Sequence, residues 1–200
     1  MAGSSGPVRR EHAVSGFLKH VPNLLTGMRL ACAPAIALLL ASGDDRAALG
    51  IFAFAGLSDA ADGFLAKRFN LATRFGRYLD PAADKLLMLA AFLALAALRA
   101  TPVWLTALVI ARDVAIVAGI LLARFLELPI KIEPLAIGKI STAMQIAYIG
   151  IVLVVLSFGF DWPLLMMAAV YLTAATTLAS WLGYGALLLR ALGARHSRIA

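Results

Sequence analysis

DAADGFLAKRFNLATRFGRYLDPAAD, residues 59 to 84, puts four carboxylates between two stretches that contain almost nothing but carbon. LGIFAFAGLS (49–58) precedes it and LLMLAAFLALAAL (86–98) follows. An aspartate at the centre of a bilayer-spanning helix costs at least ~2.5 kcal/mol, so charges at this depth point to a function rather than to solvation. The flanking runs decide the fold class. Of the 200 residues, 62% are hydrophobic and 14% charged, and the mean hydropathy is +0.89, a composition that a water-soluble domain does not have. The chain reads as an all-α, polytopic membrane protein.

Six crossings are predicted, near residues 23–42, 47–69, 77–98, 102–125, 138–158 and 162–189. Each is long enough to span ~30 Å of hydrocarbon at ~1.5 Å per residue. A short amphipathic helix is expected over 14–21, lying on the membrane surface. The organisation is thus one membrane domain over 1–200, with a juxtamembrane segment (1–21) and a six-helix bundle (22–193). No internal repeat, low-complexity linker or cleavable signal is visible, and Cys32, the single cysteine, excludes a disulfide within the chain.

The net charge of +7 does not indicate a nucleic-acid partner, because the cations fall in short segments between apolar runs. Arg9, Arg10 and Lys19 precede the first crossing, Lys67, Arg68, Arg74 and Arg77 join the second to the third, Arg124, Lys131 and Lys139 join the fourth to the fifth, and Arg190, Arg195 and Arg198 close the chain. The opposite side carries Arg46 and Arg99. The positive-inside rule then puts both termini and the carboxylate segment on the cytoplasmic side. Compact length and an Ala- and Leu-rich composition point to a bacterial inner membrane. The fifth and sixth crossings hold no formal charge from Ile140 to Phe160 and from Trp162 to Leu189, so they are expected to serve as scaffold, partner interface or lipid channel.

Asp59 and Asp62 are three apart and Asp80 and Asp84 four apart, so each pair shares a helical face. Bare, such charges repel by ~4 kcal/mol per pair at ~4 Å and an effective dielectric near 20. Protons or cations must neutralise them. An all-oxygen set of this density suits two Mg²⁺ or Mn²⁺ ions, the arrangement used in phosphoryl chemistry. Gly63 permits close approach beside Asp62, Ala66 keeps that face open, and Gly76 suits the turn into the third helix. Lys67, Arg68, Arg74 and Arg77 supply cations for remaining phosphate charge. A structural ion-pair network or a proton or cation pathway is the alternative, although carriers tend to show broken helices and repeat symmetry.

These residues resemble the signature of the CDP-alcohol phosphotransferases, D-x-x-D-G-x-x-A-R, eight residues, then G-x-x-x-D-x-x-x-D. Here it stands as DAADGFLAK, RFNLATRF, GRYLDPAAD, with Lys67 in the position the family usually gives to arginine. PNLLTGMRLACAP (22–34) is similar to the family's first helix, and LDPAADK (79–85) to its phospholipid-synthesising branch. The resemblance implies transfer of a phosphatidyl group from CDP-diacylglycerol to an alcohol with release of CMP, and a homodimer. It implies that Asp59 and Asp80 bridge two metals, that Asp62 binds the first, and that Asp84 binds the second and acts as general base. It further implies that Asn23, Thr26, Gly63, Lys67, Thr73 and Gly76 contribute to the CDP-diacylglycerol site. Lysine at 67 keeps the charge and loses the bidentate fork, so Arg68 is expected to share the role.

For the acceptor, ARDV (111–114) and GKISTAMQ (138–145) resemble the CMP-forming cardiolipin synthases, which use phosphatidylglycerol, more than the phosphatidylglycerophosphate synthases, which use glycerol 3-phosphate. Arg29, Arg68, Arg112 and Lys139 are the candidates for binding the acceptor's phosphate. The bland readings are that Arg29 snorkels to the surface, that Asp113 only pairs with Arg112, that Lys139 anchors the helix end, and that Asp44, Asp45 and Asp161 are solvated loop charges.

Overall fold

The computed structural model describes the backbone of residues 27–69, 76–126 and 135–199, and within these the side chains of 27–58, 83–126 and 135–190. The expected amphipathic helix over 14–21, together with Asn23, Thr26 and Thr73, lies outside the described residues. What is described is all helical: α1 Gly27–Ala41, α2 Asp45–Phe69, α3 Gly76–Ala97, α4 Val103–Phe125, α5 Ala136–Phe158 and α6 Pro163–Ile199. The chain divides into two compact units, one ending at Ala94 and the next beginning at Leu95.

In the first unit, Gly43 stops α1 and Asp44 starts α2. Gly43 takes a positive φ of 80°, its N–H donates to the Leu40 carbonyl at 3.1 Å, and Asp44 N–H donates to Leu39 O at 2.9 Å. This is the paired bonding of a Schellman stop, which a glycine adopts without strain. The Asp44 carboxylate then accepts from the N–H of Ala47 at 3.2 Å, capping the first turn of α2. Asp44 is therefore a helix cap and Asp45 the first residue of α2, where solvated loop charges were expected.

One face of each helix is buried, in the 3–4 rhythm of packed helices. On α1 it comprises Arg29, Ala33, Ile36 and Leu40, on α2 Ala48, Phe52 and Ala55, and on α3 Ala83, Leu87, Ala91 and Phe92. Asp59 and Asp62 occupy the next register positions beyond Ala55 on α2, and α2 stays helical through both. Asp80 and Asp84 lie on the second and third turns of α3. The apolar seam therefore gives way to charge at one end of each helix.

In the second unit, α4, α5 and α6 are each long and apolar enough to cross a membrane, as Val103–Phe125, Ala136–Phe158 and Pro163–Arg190. Their outer faces carry the apolar bulk: Leu164 is 74% and Leu182 75% exposed, as lipid contact requires. The α6 helix extends over 37 residues, about 55 Å, and so continues past the crossing expected to end at 189. Gly159, at φ 64°, closes α5 with its N–H on Val155 O, and Pro163 opens α6 at the position where a missing N–H costs nothing. Phe158, Phe160 and Trp162 stack across this turn, with ring centroids 5.7 and 4.4 Å apart, in keeping with an interfacial aromatic anchor.

The interior of this unit sets buried polar side chains beside apolar ones such as Leu105, Ile149 and Leu153. Gly138, Ser141, Gln145, Tyr148 and Val152 form the buried stripe of α5. Val170, Thr173, Thr177 and Ser180 form that of α6. Gln145 Nε2 donates to Ser141 Oγ at 3.4 Å and to Thr177 Oγ1 at 3.3 Å, and Tyr148 donates to Thr101 Oγ1 at 3.2 Å. Between membrane helices the hydrophobic effect supplies little attraction, and small side chains with such bonds take its place.

Candidate active site

Asp84, on the third turn of α3, is the one of the four aspartates whose side chain is among the described residues. Its side chain is 44% exposed, and Oδ1 accepts from Nη1 of Arg29 at 2.5 Å. Arg29 is 3% exposed. It does not snorkel to the surface; α1 buries it, and its guanidinium meets a carboxylate 55 residues away in sequence. A charge-assisted bond of this kind is stronger than one between neutral groups. Asp59, Asp62, Gly63, Lys67 and Arg68 lie on α2, and Gly76 and Asp80 on the start of α3; their side-chain placement is outside the described residues. Among the described residues no three metal-ligating side chains cluster.

A divalent cation nevertheless suits what is present. Aspartates stand at 59, 62, 80 and 84, on helices that are unbroken through 59–62 and 80–84. Hard oxygen donors of this kind select Mg²⁺ or Mn²⁺ over softer metals.

Arg112, on α4, is built differently. It is 3% exposed, and its donors are directed at the protein: Nε to Ser180 Oγ at 3.1 Å, Nη2 to the same oxygen at 2.8 Å and to Gly138 O at 3.3 Å, and Nη1 to Asp113 at 2.7 Å. The pairing of Arg112 with Asp113 is present. Tyr184 closes the cluster, its hydroxyl accepting from Leu135 N–H at 3.2 Å. Lys139, the next residue after Gly138, is exposed on the first turn of α5.

Ser180 and Tyr184 were missed by a search for charge. The last two helices supply acceptors to Arg112, Ser180 from α6 and the Gly138 carbonyl from α5. The available signal was the run Thr173, Thr177, Ser180, Tyr184 at intervals of three and four inside an apolar helix.

The CDP-alcohol phosphatidyltransferase family pattern matches residues 19–190, and the chain belongs to that family of transferases. It is 33% identical over 180 residues to the cardiolipin synthase (CMP-forming) of Rattus norvegicus, covering 82% of this chain and 60% of that protein. It is 34% identical over 181 residues to a probable cardiolipin synthase (CMP-forming) of Drosophila melanogaster, covering 82% and 56%. Over 202 residues it is 32% identical to a probable phosphatidylglycerophosphate synthase of Mycobacterium tuberculosis, covering 96% and 93%. The chain thus spans little more than half the length of the animal relatives and nearly all of the mycobacterial one.

Proposed function

We propose that this protein transfers a phosphatidyl group from CDP-diacylglycerol to the hydroxyl of phosphatidylglycerol, giving cardiolipin and CMP. The observation that carries the reading is Asp84, half-exposed and held through one oxygen by a buried arginine at the charged end of the α1–α3 seam. Six crossings in one bundle, with both termini and the site on the cytoplasmic face of a bacterial inner membrane, and a homodimeric assembly, belong to the same proposal. Asp59, Asp62, Asp80 and Asp84 would hold two divalent cations, Mg²⁺ or Mn²⁺, which when bound neutralise the pyrophosphate of the donor.

Asp84 accepts the proton of the acceptor hydroxyl. The freed oxygen forms its bond to the phosphorus that carries diacylglycerol, and the bond from that phosphorus to the CMP oxygen breaks, the electron pair leaving with CMP. Lys67 and Arg68, next to each other on α2, offset the charge of the nucleotide phosphates. Asn23, Thr26, Gly63, Thr73 and Gly76 complete the donor site. Lys139, exposed on the first turn of α5, is a candidate contact for the acceptor phosphate, with Arg68 and Arg112.

Glycerol 3-phosphate is the second reading, favoured by the coverage of the mycobacterial relative. Purified protein given Mg²⁺ or Mn²⁺ and CDP-diacylglycerol, with phosphatidylglycerol and glycerol 3-phosphate offered separately, distinguishes the two by the lipid formed. Cardiolipin is expected. Preferential formation of phosphatidylglycerophosphate reassigns the acceptor, and absence of CMP release with either acceptor sinks the reading. Divalent-ion or proton flux in vesicles without any nucleotide dependence would mark a carrier instead.

A further inference from the structure

We propose that Arg29 is the positioning residue and resident counter-charge of Asp84, and is not a ligand of the acceptor phosphate; this rests on the reading of Asp84 as the base. Arg29 is placed for this and poorly placed for capture. It is 3% exposed, on the buried face of α1 with Ala33, Ile36 and Leu40, whereas the carboxylate it holds is 44% exposed. A residue that captured a soluble or lipid phosphate would need the opposite exposure. Nη1 donates to Oδ1 of Asp84, which restrains the orientation of the carboxylate. A guanidinium suits this task because its geometry is planar and its charge permanent.

The charge has a second consequence with a distinctive sign. Outer partners of metal ligands usually strengthen binding, and removing one typically lowers metal affinity or activity by about 10–100-fold. A cationic partner does the reverse to affinity, because it repels the incoming ion. With Arg29 beside Asp84, the carboxylates would hold a divalent ion less tightly than they would without it, while Asp84 stays aligned for turnover.

The test uses the full chain in nanodiscs, with Mn²⁺ binding followed by electron paramagnetic resonance and CMP release followed as kcat and KM. Arg29→Gln is expected to bind Mn²⁺ roughly tenfold more tightly or more, while kcat falls by about 10–100-fold and KM for both substrates stays within about twofold. Arg29→Lys keeps the charge and loses the fork, so its Mn²⁺ affinity is expected to stay within about twofold of the parent while kcat still falls. Unchanged or weaker Mn²⁺ binding in Arg29→Gln overturns the proposal. So does a rise in acceptor KM at constant kcat, which would return Arg29 to the acceptor site. If Arg29→Gln does not fold, Arg29→Lys decides: a kcat equal to the parent's overturns the positioning role. Parent protein that neither takes up Mn²⁺ nor releases CMP sinks the proposed function itself, whereas active parent protein with indifferent Arg29 variants sinks this inference alone.

Discussion

The guanidinium of Arg112 on α4 directs two nitrogens to a single hydroxyl, that of Ser180 on α6, at 3.1 Å from Nε and 2.8 Å from Nη2. Both residues are buried, so this oxygen satisfies a charge that water does not reach. Ser180→Ala removes the acceptor and leaves two donors of a buried cation unmet. A loss of about 1–3 kcal/mol is expected, measured by thermal or denaturant unfolding in detergent. A loss below about 0.5 kcal/mol would mean that the cluster re-forms around other acceptors.

Gly138 stands where α5 approaches both partners of that cluster. A Cβ at this position would lie 2.9 Å from the Tyr184 hydroxyl, 3.1 Å from its ring and 3.4 Å from Arg112 Nη2. Tyr184 cannot yield cheaply, because its hydroxyl holds Leu135 N–H. Gly138→Ala is expected to cost about 1–3 kcal/mol by overpacking. The penalty should shrink when Tyr184 is also replaced by alanine, and a double-mutant cycle on unfolding measures that coupling.

Thr173 and Thr177 sit one turn apart on the same buried stripe and should respond oppositely to valine. Thr177 accepts from Gln145, while the Thr173 hydroxyl has no partner among the described residues. Thr173→Val removes a buried hydroxyl that has no partner among the described residues and is expected to stabilise by a few tenths to about 1 kcal/mol. Thr177→Val is expected to destabilise by about 0.6–1.7 kcal/mol. Melting curves of the two variants in the same detergent test the sign.

Arg99 holds a conformation that suits glycine. Its φ is 59°, its N–H donates to Ala96 O at 3.0 Å, and Ala100 N–H donates to Leu95 O at 2.9 Å, so it is the left-handed stop of α3. A side chain there costs roughly 1–2 kcal/mol. Arg99→Gly relieves this against some gain in unfolded-chain entropy, and a net stabilisation of about 0.5–1 kcal/mol is expected in thermal unfolding.

Asp84→Asn keeps the shape of the side chain and removes both its charge and its basicity. CMP release is expected to fall by about 10²–10⁴-fold, the range for a lost general base, with helicity by circular dichroism unchanged. Wild-type turnover in this variant would remove Asp84 from the chemistry.

Much of this protein is legible along the chain, and the reason is local. Whether a stretch enters a bilayer depends on its own transfer free energy, and a helix repeats every ~3.6 residues whatever surrounds it. The described helices accordingly begin and end within a few residues of the predicted spans, except that α6 runs on to Ile199, and Asp59, Asp62, Asp80 and Asp84 occupy helical positions of α2 and α3. Gly43 and Asp44 could be read as a turn, although the division of labour between stop and cap needed coordinates.

Which faces meet is a different matter, since no local rule says where on α3 the guanidinium of Arg29 arrives, or that a serine on the last helix receives Arg112. Those contacts join residues 55 and 68 positions apart. They follow from packing, where small residues such as Gly138 set how closely two helices approach. A string of residues encodes the helices and the charges they bear; the partners of those charges exist once the helices have chosen their neighbours, because a buried ion pair is worth its desolvation cost only at the geometry that packing supplies.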